Sequence, residues 1–510
     1  MTTNLEYALM AGGAYISNRP DINKLPVPDD WTKFQYVTKP SGFEAVSFKR
    51  GNEIVISFAG TNPEDISGDV AADISLATGF GSVQLLQAAE YYMQVKAVNP
   101  NAEITFTGHS LGGGLAALIG VFFNKQAVTF DQAPFWMSTT EWTRDQIKDY
   151  LFGLTGTNGQ PLYTEQQLAE LEPGFVSYSE EADRSGRQAN VSGYYVEGEF
   201  LTTYPVIGGL AGVGNTTPIN HGDTNVSGVD LHSQALLTAF LENDQFRQVT
   251  DKLTDLLGMI FDSNLFAHPT NDPDNENFID RLVRYESGIA PGATDTDMLT
   301  RFTADLWKIA QEGGMTLSNK DVAQTLTAFA MQMYYNDDTP ADKTLFDSTG
   351  ITGGIQFDRS DVADVLDAAK GFSLYFQDYL NTLPPNESQA ITQQLPNLLD
   401  WYMQTGYRSM EATAGDKRAF MLGGDKGDNL FGGTVNDVLV GGKGIDLLLG
   451  GKGDDLLIGG EGNDNYYYRI GDGNDRIIDN LGNNKIIIKN ENGDVSLEFG
   501  TFYTNVIDNW

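Results

Sequence analysis

The sequence predicts two folds in one chain of 510 residues: an α/β domain on a largely parallel sheet, followed by an all-β region of short stacked strands. Strand-like and helix-like segments alternate over residues 1 to about 240, which is typical of a parallel sheet. Within that part, the letters GHSLG at 108–112 lie where a strand passes into a helix. From Gly423 onward, Gly and Asp recur with a nine-residue period, which indicates a repeat architecture.

The composition indicates which partners, cross-links and targeting segments the chain can have. The formal net charge is −37, which argues against a nucleic-acid partner and suits cation binding. The chain has no cysteine, so no disulfide supports the fold. The N-terminal residues lack a basic segment followed by a long apolar run, so no cleavable secretory signal is predicted. No apolar run approaches about 18 residues, so no membrane span is predicted.

The first part of the chain is an ordered series of predicted strands and helices. EAVSFKR and EIVISFAGT are predicted strands joined by a two-residue Gly-Asn turn. GSVQLLQAAEYYMQVKAV has the apolar spacing of a helix and ends before Pro100. AEITFTG as a strand, LGGGLAALIGVFF as a helix and AVTFDQAPF as a strand follow, and this order predicts an α/β domain over residues 1–240.

Further segments divide the remainder of the chain. Residues 137–190 interrupt the α/β rhythm with two predicted helices, the first capped by Thr139 or Thr140, and form a candidate lid insert. Residues 241–415 are predicted to be mainly helical, as a cap or an extension of the first domain. The Gly–Asp repeat occupies 416–480, and residues 481–510 contain short strand-like pieces.

The GHSLG stretch predicts a sharp turn that holds a serine clear of the backbone. Ser110 in this strand–turn–helix context is a candidate nucleophile, and a side chain at either flanking glycine would clash across the turn. A serine needs a base, and the chain has four histidines. His232, at a loop-to-helix junction after the last predicted strand of the domain, is preferred. His221 is the second choice, His109 is interpreted as a structural contact, and His268 is expected to lie outside this domain.

The acid of a Ser–acid–His series should follow a strand between the serine and the histidine. SGYYVEGEF places Glu197 and Glu199 at such a strand end, and Glu199, just after a glycine, is preferred. Asp131, at the end of AVTFD, remains possible but comes one strand too early. The predicted oxyanion donors are the N–H of Leu111, the residue after the serine, and Thr61 at the end of the EIVISFAGT strand.

The Gly–Asp repeat follows the pattern G-G-x-G-x-D-x-U-x, in which U is a large apolar residue. Three successive copies span 441–467, two degraded copies precede them from 423, and a partial turn follows at 471–478. Glycines allow positive φ, so that carbonyl oxygens converge, and the aspartates add carboxylates suited to structural Ca²⁺ ions. Without the cation these stacked carboxylates repel, so folding should depend on calcium. The predicted ligands are Asp428, Asp437, Asp446, Asp455, Asp464 and Asp475.

ISFAGT, then TFTGHSLGGGLA and then VTFDQAP resemble the class 3 lipase group of α/β-hydrolases, over residues 1 to about 240. The resemblance implies an α/β-hydrolase fold in which Ser110 is the nucleophile and Thr61 an oxyanion residue. It implies a carboxylic ester hydrolase, either a triacylglycerol lipase or esterase or a phospholipase A1 with the same machinery. The arginine of that group is Ala59 here, and its triad aspartate has no clear match, which leads to the glutamate prediction.

The implied substrate is a lipid ester at a lipid–water interface. The candidate lid carries apolar surface that fits either such an interface or a buried core, and both readings remain open. This surface consists of Phe135, Trp136, Met137, Trp142, Ile147, Leu151 and Phe152.

The Gly–Asp block resembles the parallel β-roll of RTX proteins. RTX proteins carry an uncleaved C-terminal signal for type I secretion from Gram-negative bacteria. The resemblance therefore implies an extracellular protein that a type I secretion apparatus exports and that calcium folds, with the signal in 481–510. An alternative of another class is a non-enzymatic RTX toxin or surface-binding protein with an inert hydrolase domain.

Overall fold

The computed structural model describes residues 2–17, 24–60, 83–157, 159–203, 211–223, 226–253, 256–261, 278–286, 298–311, 401–405, 411–415, 418–422, 427–479, 482–489, 495–499 and 502–507. The chain divides into two compact units. The first comprises Met1–His221, Val226–Gln248 and Pro273–Leu299. The second comprises Gly222–Asn225, Val249–Asp272 and Thr300–Trp510.

One seven-stranded sheet organises the first unit. Its strands are β1 (Thr32–Thr38), β2 (Glu44–Arg50), β3 (Glu53–Phe58), β4 (Glu103–His109), β5 (Ala127–Phe130), β6 (Val191–Val196) and β7 (Asn215–Ile219). They lie in chain order across the sheet. The pairs β1–β2 and β2–β3 are antiparallel, and every pair from β3 to β7 is parallel. The predicted α/β fold with a largely parallel sheet is therefore confirmed.

The described α-helices are α1 (Asn4–Gly12), α2 (Val83–Val98), α3 (Leu111–Phe123), α4 (Glu141–Gly153), α5 (Glu165–Leu171), α6 (Pro173–Val176), α7 (Glu180–Gln188), α8 (Phe200–Thr203), α9 (Gly228–Leu231), α10 (Gln234–Glu242), α11 (Asp244–Thr250), α12 (Leu256–Phe261), α13 (Phe278–Glu286) and α14 (Met298–Gln311). Within the described ranges, none of these helices combines the length and apolar character that a bilayer crossing requires.

Local sequence signals fix several helix ends. α1 begins with a capping box, in which the Thr3 hydroxyl accepts the Glu6 N–H and the Glu6 carboxylate accepts the Thr3 N–H. α4 begins after Thr140, whose side chain accepts the Thr143 N–H. Of the two predicted caps, Thr139 and Thr140, the structure therefore selects the second. These caps satisfy N–H groups that have no partner inside their helices.

An aromatic core holds β3, β4 and α3 together. The Tyr92 ring of α2 lies 5.1 Å from Phe106 and 4.7 Å from Phe123, and Phe58 stacks on Phe106 at 6.1 Å. All residues of α3 are buried, which agrees with a helix that is apolar on every face. The strand and the helix on either side of Ser110 are therefore both anchored in the interior.

The candidate lid insert contains α4 to α7 and is only partly exposed. Phe135, Ile147 and Leu151 are completely buried in the main hydrophobic core, whereas Met137 and Trp142 are 48% and 52% exposed. The side chains thus divide between the two predicted readings, core and surface. Movement of this insert as a lid stays a prediction.

The second unit contains a parallel roll of two six-stranded sheets. Its strands are β8 (Trp401–Thr405), β9 (Glu411–Gly415), β10 (Arg418–Leu422), β11 (Asn429–Gly433), β12 (Val438–Gly444), β13 (Leu447–Gly451), β14 (Leu456–Gly462), β15 (Asn465–Arg469), β16 (Asp475–Asp479), β17 (Asn484–Lys489), β18 (Val495–Phe499) and β19 (Phe502–Ile507). The even-numbered strands β8–β16 with β19 form one sheet, and the odd-numbered strands β9–β17 with β18 form the other. The predicted parallel β-roll is confirmed.

One apolar side chain from each of the strands β10 to β17 lies in the interior of the roll. Apart from Met421, these residues are the predicted U positions and their continuation along the chain: Leu430, Leu439, Leu448, Leu457, Tyr466, Ile477 and Ile486. Two antiparallel strands, β18 and β19, pair with the final parallel strands β17 and β16. Strands β8 and β9 also belong to the roll, although they precede its predicted beginning at residue 416.

Candidate active site and calcium-binding repeat

Ser110 occupies the sharp turn between β4 and α3. Its φ of 58° and ψ of −128° are outside the regions that ordinary residues prefer, as expected of a strained strand-to-helix turn. A Cβ on Gly112 would lie 2.0 Å from the Phe58 carbonyl oxygen, and one on Gly108 would lie 2.4 Å from Gly112 backbone atoms. The predicted clash at both flanking glycines is therefore confirmed.

The structure brings Ser110, His232 and Glu199 into one hydrogen-bonded series. Ser110 Oγ lies 2.9 Å from His232 Nε2, and His232 Nδ1 lies 2.8 Å from Glu199 Oε2. Since a carboxylate accepts, Nδ1 carries the proton, which leaves Nε2 to accept the serine proton. The three residues come from the turn after β4, the loop after β6 and the residue after α9. This is the geometry that a Ser–His–acid triad requires.

Two other histidines make structural contacts instead. His221 Nε2 lies 2.9 Å from the Glu197 carbonyl oxygen. His109 Nε2 donates to the His232 carbonyl oxygen at 3.0 Å, while its Nδ1 lies 2.9 Å from the Tyr15 hydroxyl. His268 lies outside the described residues.

The candidate acids differ in burial and contacts. Glu199 is 1% exposed, and its carboxylate also accepts the N–H groups of Leu201 at 2.7 Å and Thr202 at 2.9 Å. Three neighbouring N–H donors therefore fix this carboxylate beside the imidazole. Glu197, two residues earlier, is exposed. Asp131 is buried, with a carboxylate oxygen within 4.8 Å of a His232 ring nitrogen.

The predicted oxyanion donors are only partly described. Leu111 is the first residue of α3, where a backbone N–H has no acceptor inside the helix. Gly60, after β3, approaches the same point, since a Cβ on it would lie 3.0 Å from Ser110 Cβ. Thr61 lies outside the described residues. The N–H of Leu111 is thus available, by helix geometry, to charge that develops next to Ser110.

A cavity of about 330 Å³ lies on the Glu199 side of this site. Tyr195 and Thr202 line it together with Glu199 and Gln132. The Gln132 amide is fixed by two hydrogen bonds, donating to the Val213 carbonyl at 3.1 Å and accepting the Val213 N–H at 3.3 Å. The cavity is at the carboxyl ends of parallel strands, where α/β proteins bind ligands.

The predicted ligand aspartates form two buried ladders in the roll. Asp446 Oδ1 accepts the Asp428 N–H at 2.8 Å, and Asp464 Oδ1 accepts the Asp446 N–H at 2.9 Å. On the other ladder, Asp455 Oδ1 accepts the Asp437 N–H at 2.7 Å. All six predicted aspartates are 2% exposed or less. Each of these three bonds joins residues 18 positions apart, which is two nonapeptides, and the next bond of the second ladder, from the Asp455 N–H to Asp475 Oδ1, spans 20.

The donor set fits a hard divalent cation such as Ca²⁺. Within the described residues, the Oδ2 atoms of Asp446, Asp455 and Asp464 are buried without a hydrogen-bond partner. Burial raises the pKa of Asp446 and of Asp455 to about 8, and neighbouring carboxylates add to the effect. A Cβ on Gly450 would lie 2.1 Å from Asp455 Oδ2, so glycine leaves space beside that oxygen. Carboxylate oxygens aimed at such a space are typical calcium ligands.

Two further polar contacts in the roll, those of Asn484 and Asp479, were not predicted from the sequence. Asn484 Oδ1 accepts the Asp464 N–H at 2.8 Å and continues the first ladder with a neutral side chain, 20 residues further on. Asp479 Oδ2 accepts the Tyr466 hydroxyl at 2.5 Å. The nine-residue period ends before both positions, and the only signal in the sequence is the pair of triplets Gly-x-Asp at 473–475 and Gly-x-Asn at 482–484.

Residues 7–149 match the family model of the Tle-like phospholipase domain, and residues 431–466 match four copies of the RTX calcium-binding nonapeptide repeat. The chain joins a phospholipase-like domain to RTX repeats. Its RTX repeats are calcium-binding repeats, as predicted. The resemblance to lipid hydrolases with an RTX tail is therefore confirmed.

Individual relatives match parts of the phospholipase-like chain. An extracellular phospholipase A1 of Serratia liquefaciens is 39% identical over 93 residues, which is 18% of this chain and 28% of that protein. A putative lipase atg15 of Penicillium rubens is 43% identical over 47 residues, 9% of this chain and 7% of that protein. The chain thus covers less than a third of either relative. The crystal structure of the extracellular lipase LipA from Serratia marcescens aligns with 12% identity and a TM-score of 0.21, covering 99% of this chain and 74% of that one.

Proposed function

We propose that the phospholipase-like domain hydrolyses carboxylic esters of lipids, with Ser110 as nucleophile, His232 as general base and acid, and Glu199 as the acid that orients the imidazole. The hydrogen-bonded series Ser110–His232–Glu199 is the observation that supports this proposal most directly. The strained turn at Ser110 and the buried, triply bonded Glu199 fit the same roles.

The reaction follows from this geometry. His232 Nε2 takes the proton of Ser110 as its Oγ attacks the ester carbonyl carbon, and the carbonyl oxygen becomes an oxyanion. The N–H of Leu111, with Thr61 as second donor, stabilises that oxyanion. Each such donor typically contributes about 10²–10³ in rate. The imidazolium then protonates the leaving alcohol, and a water molecule repeats the sequence on the acyl-serine to release the fatty acid.

Substitution of the nucleophile tests this function. Ser110→Ala in the full-length protein with calcium should lower kcat for p-nitrophenyl esters by roughly 10⁴–10⁶. Ser41→Ala, at an exposed serine, is the matched control and should retain wild-type kcat. If Ser110→Ala hydrolyses these esters as fast as the wild type, the enzymatic reading fails and a binding function takes its place.

Two substrate classes fit the same machinery. Triacylglycerol hydrolysis is one, and phospholipase A1 activity is the other; the match of residues 7–149 to a phospholipase domain is compatible with both. Emulsified triolein and a phosphatidylcholine with distinct acyl chains at its two positions separate them. Release of the sn-1 acyl chain at a higher kcat/KM than triolein hydrolysis identifies a phospholipase A1; the reverse ranking identifies a lipase.

We infer further that the protein is secreted to the extracellular space by a type I apparatus of a Gram-negative bacterium. The RTX repeats support this inference, because their calcium sites suit a compartment rich in that cation. Deletion of residues 481–510 should abolish export from cells that carry a type I apparatus, while the intact chain reaches the medium. Equal export of both chains would contradict the inference.

A further inference from the structure

A second carboxylate, that of Asp131, is buried beside the imidazole of His232. Asp131 follows β5, is 1% exposed, and has a carboxylate oxygen within 4.8 Å of ring nitrogens of both His109 and His232. Its φ is +40°, in a region that favours glycine. The chain therefore accepts local backbone strain at a position that carries a carboxyl group, and such strain is concentrated at functional sites.

The two oxygens of Asp131 have different surroundings. Oδ1 accepts the Val196 N–H at 2.9 Å, which ties the end of β5 to the end of β6. Oδ2 has no hydrogen-bond partner among the described residues. It lies 3.5 Å from His109 Nε2, whose proton is directed at the His232 carbonyl oxygen. A structural role would need only the first oxygen, and the second lies beside the His109 imidazole.

Among the residues that the structure describes, three charged or titratable side chains face Asp131: His109 at the end of β4, Glu199 after β6 and His232 after α9. Burial, and then the charge of Glu199, raise the pKa of Asp131 well above its ordinary value. While Glu199 is ionised, Asp131 therefore tends to keep its proton. Loss of the Glu199 charge removes one of the two effects and favours ionisation of Asp131 next to the imidazole.

We propose that Asp131 is a positioning residue for His232 and takes over the orientation of the imidazole when Glu199 is absent. This inference rests on the proposed triad. In the intact protein Glu199 holds His232 Nδ1, and Asp131 supports the same histidine from the end of the neighbouring strand. A chain in which Glu199 is truncated still has a buried carboxylate at the imidazole.

A double-mutant cycle tests this role. We expect Glu199→Ala to lower kcat by about 10–100-fold, less than the roughly 10⁴-fold typical of a lone triad acid. Asp131→Asn keeps the Oδ1 acceptor and the size of the side chain, and should lower kcat about 2–5-fold in the wild type but about 100-fold in the Glu199→Ala background. In both backgrounds, Asp131→Asn should change the KM for a soluble p-nitrophenyl ester little. Asp145→Asn, at a half-exposed aspartate, is the charge control.

Equal factors for Asp131→Asn in both backgrounds would overturn the proposal, because a structural residue acts independently of Glu199. A Glu199→Ala protein as inactive as Ser110→Ala would overturn it as well. Near-UV circular dichroism of all variants checks that each is folded. If Glu199→Ala fails this check, Glu199→Gln, which keeps the side-chain volume, takes its place in the cycle.

A readout without catalysis separates this inference from the proposed function. In Ser110→Ala protein, NMR titration of the His232 ring gives its pKa directly. Adding Asp131→Asn should lower that pKa by about one unit when Glu199 is replaced by Gln, and by much less when Glu199 is present. An unchanged His232 pKa in the Glu199→Gln background contradicts the role of Asp131. Absence of ester hydrolysis in the wild type contradicts only the proposed function.

Discussion

The phospholipase-like domain and the RTX roll both bury carboxylates, but they satisfy them in different ways. In the first, Glu199 accepts from His232 and two N–H groups, and Glu172 accepts the Tyr92 hydroxyl at 2.5 Å beside Lys125. In the roll, the corresponding Oδ2 atoms of Asp446 and Asp455 have no hydrogen-bond partner in the described part of the chain. Glu199 and Glu172 thus have donors from within their own domain, whereas the roll leaves the Oδ2 atoms of Asp446 and Asp455 for a cation.

This difference predicts which of the two regions needs a bound cation in order to fold. An ionised carboxylate that is buried without a hydrogen-bond donor or a cation lowers the stability of the fold by several kcal/mol, unless it takes up a proton. The α/β core, by contrast, is held by aromatic and aliphatic packing. We therefore expect the phospholipase-like domain to fold without calcium and the roll to fold only when calcium binds.

Removal of calcium should have the largest effect. Chelation with EGTA should lower hydrogen-exchange protection of peptides from 427–479 by about 100-fold or more, because binding energy in such sites is folding energy. Peptides covering β4 and α3 should change little. The measurement is hydrogen exchange with mass spectrometry on the full-length protein. Equal loss of hydrogen-exchange protection in the roll and in the α/β domain would contradict this difference in calcium dependence.

Truncation of one core residue in each region should separate their stabilities. Phe106→Ala, at a fully buried aromatic residue, should lower the free energy of unfolding of the α/β core by about 3–5 kcal/mol with or without calcium. Leu448→Ala, in the roll interior, should cost about 2–5 kcal/mol only when calcium is bound. Denaturant unfolding followed at region-specific peptides measures both. Val98→Ala, 69% exposed, is the control and should cost less than about 0.5 kcal/mol.

Neutralising one ladder carboxylate should weaken calcium binding without altering the backbone contacts. Asp455→Asn keeps the oxygen that accepts the Asp437 N–H but removes the charge at Oδ2, so the calcium midpoint of folding should rise about tenfold. The neighbouring Asp454 is exposed, and its Oδ1 accepts the Asn474 N–H. Asp454→Asn should therefore leave the midpoint unchanged. Circular dichroism during calcium titration measures both, and equal midpoints would contradict the ladder as the binding site.

The smallest effect concerns acid stability of the α/β domain. Burial works to raise the pKa of Glu6, but hydrogen bonds from the Thr3 N–H and the Trp31 indole and the charge of Arg50 lower it below its ordinary 4.5. Since the folded pKa is lower than the unfolded one, Glu6 stabilises the fold above about pH 4.5, and this contribution is lost as the pH falls further. Glu6→Gln should remove less than about 1 kcal/mol at pH 7 and flatten the acid limb. Thermal unfolding from pH 3 to 7 measures the pH dependence of stability, and Glu103→Gln, at an exposed glutamate, is the control. If stability falls with pH in the same way in the wild type and in Glu6→Gln, the role of Glu6 is refuted.

Much of the architecture follows from short-range pattern. The nine-residue period places one apolar residue and one aspartate in every turn, so both the interior column and the two ladders could be predicted up to Asp475. Asn484 could not, because an amide replaces the carboxylate there, while its spacing of 20 residues is the same as that between Asp455 and Asp475. The strands from 401 to 415 also lack the repeat, and only their pairing with β10 and β11 assigns them to the roll.

The sequence by itself determined the elbow at Ser110 and the calcium ladders, because both depend on residues a few positions apart whose backbone angles and side-chain spacing are local properties. The tertiary structure decided which imidazole and which carboxylates meet that serine. His232 lies 122 positions from Ser110, and its choice over His221 depends on how the loops after β6 and α9 close over the sheet. It also decided that a carboxylate oxygen of Asp131 lies within 4.8 Å of a nitrogen of the same imidazole, since packing of neighbouring strand ends, and no sequence spacing, brings these groups together.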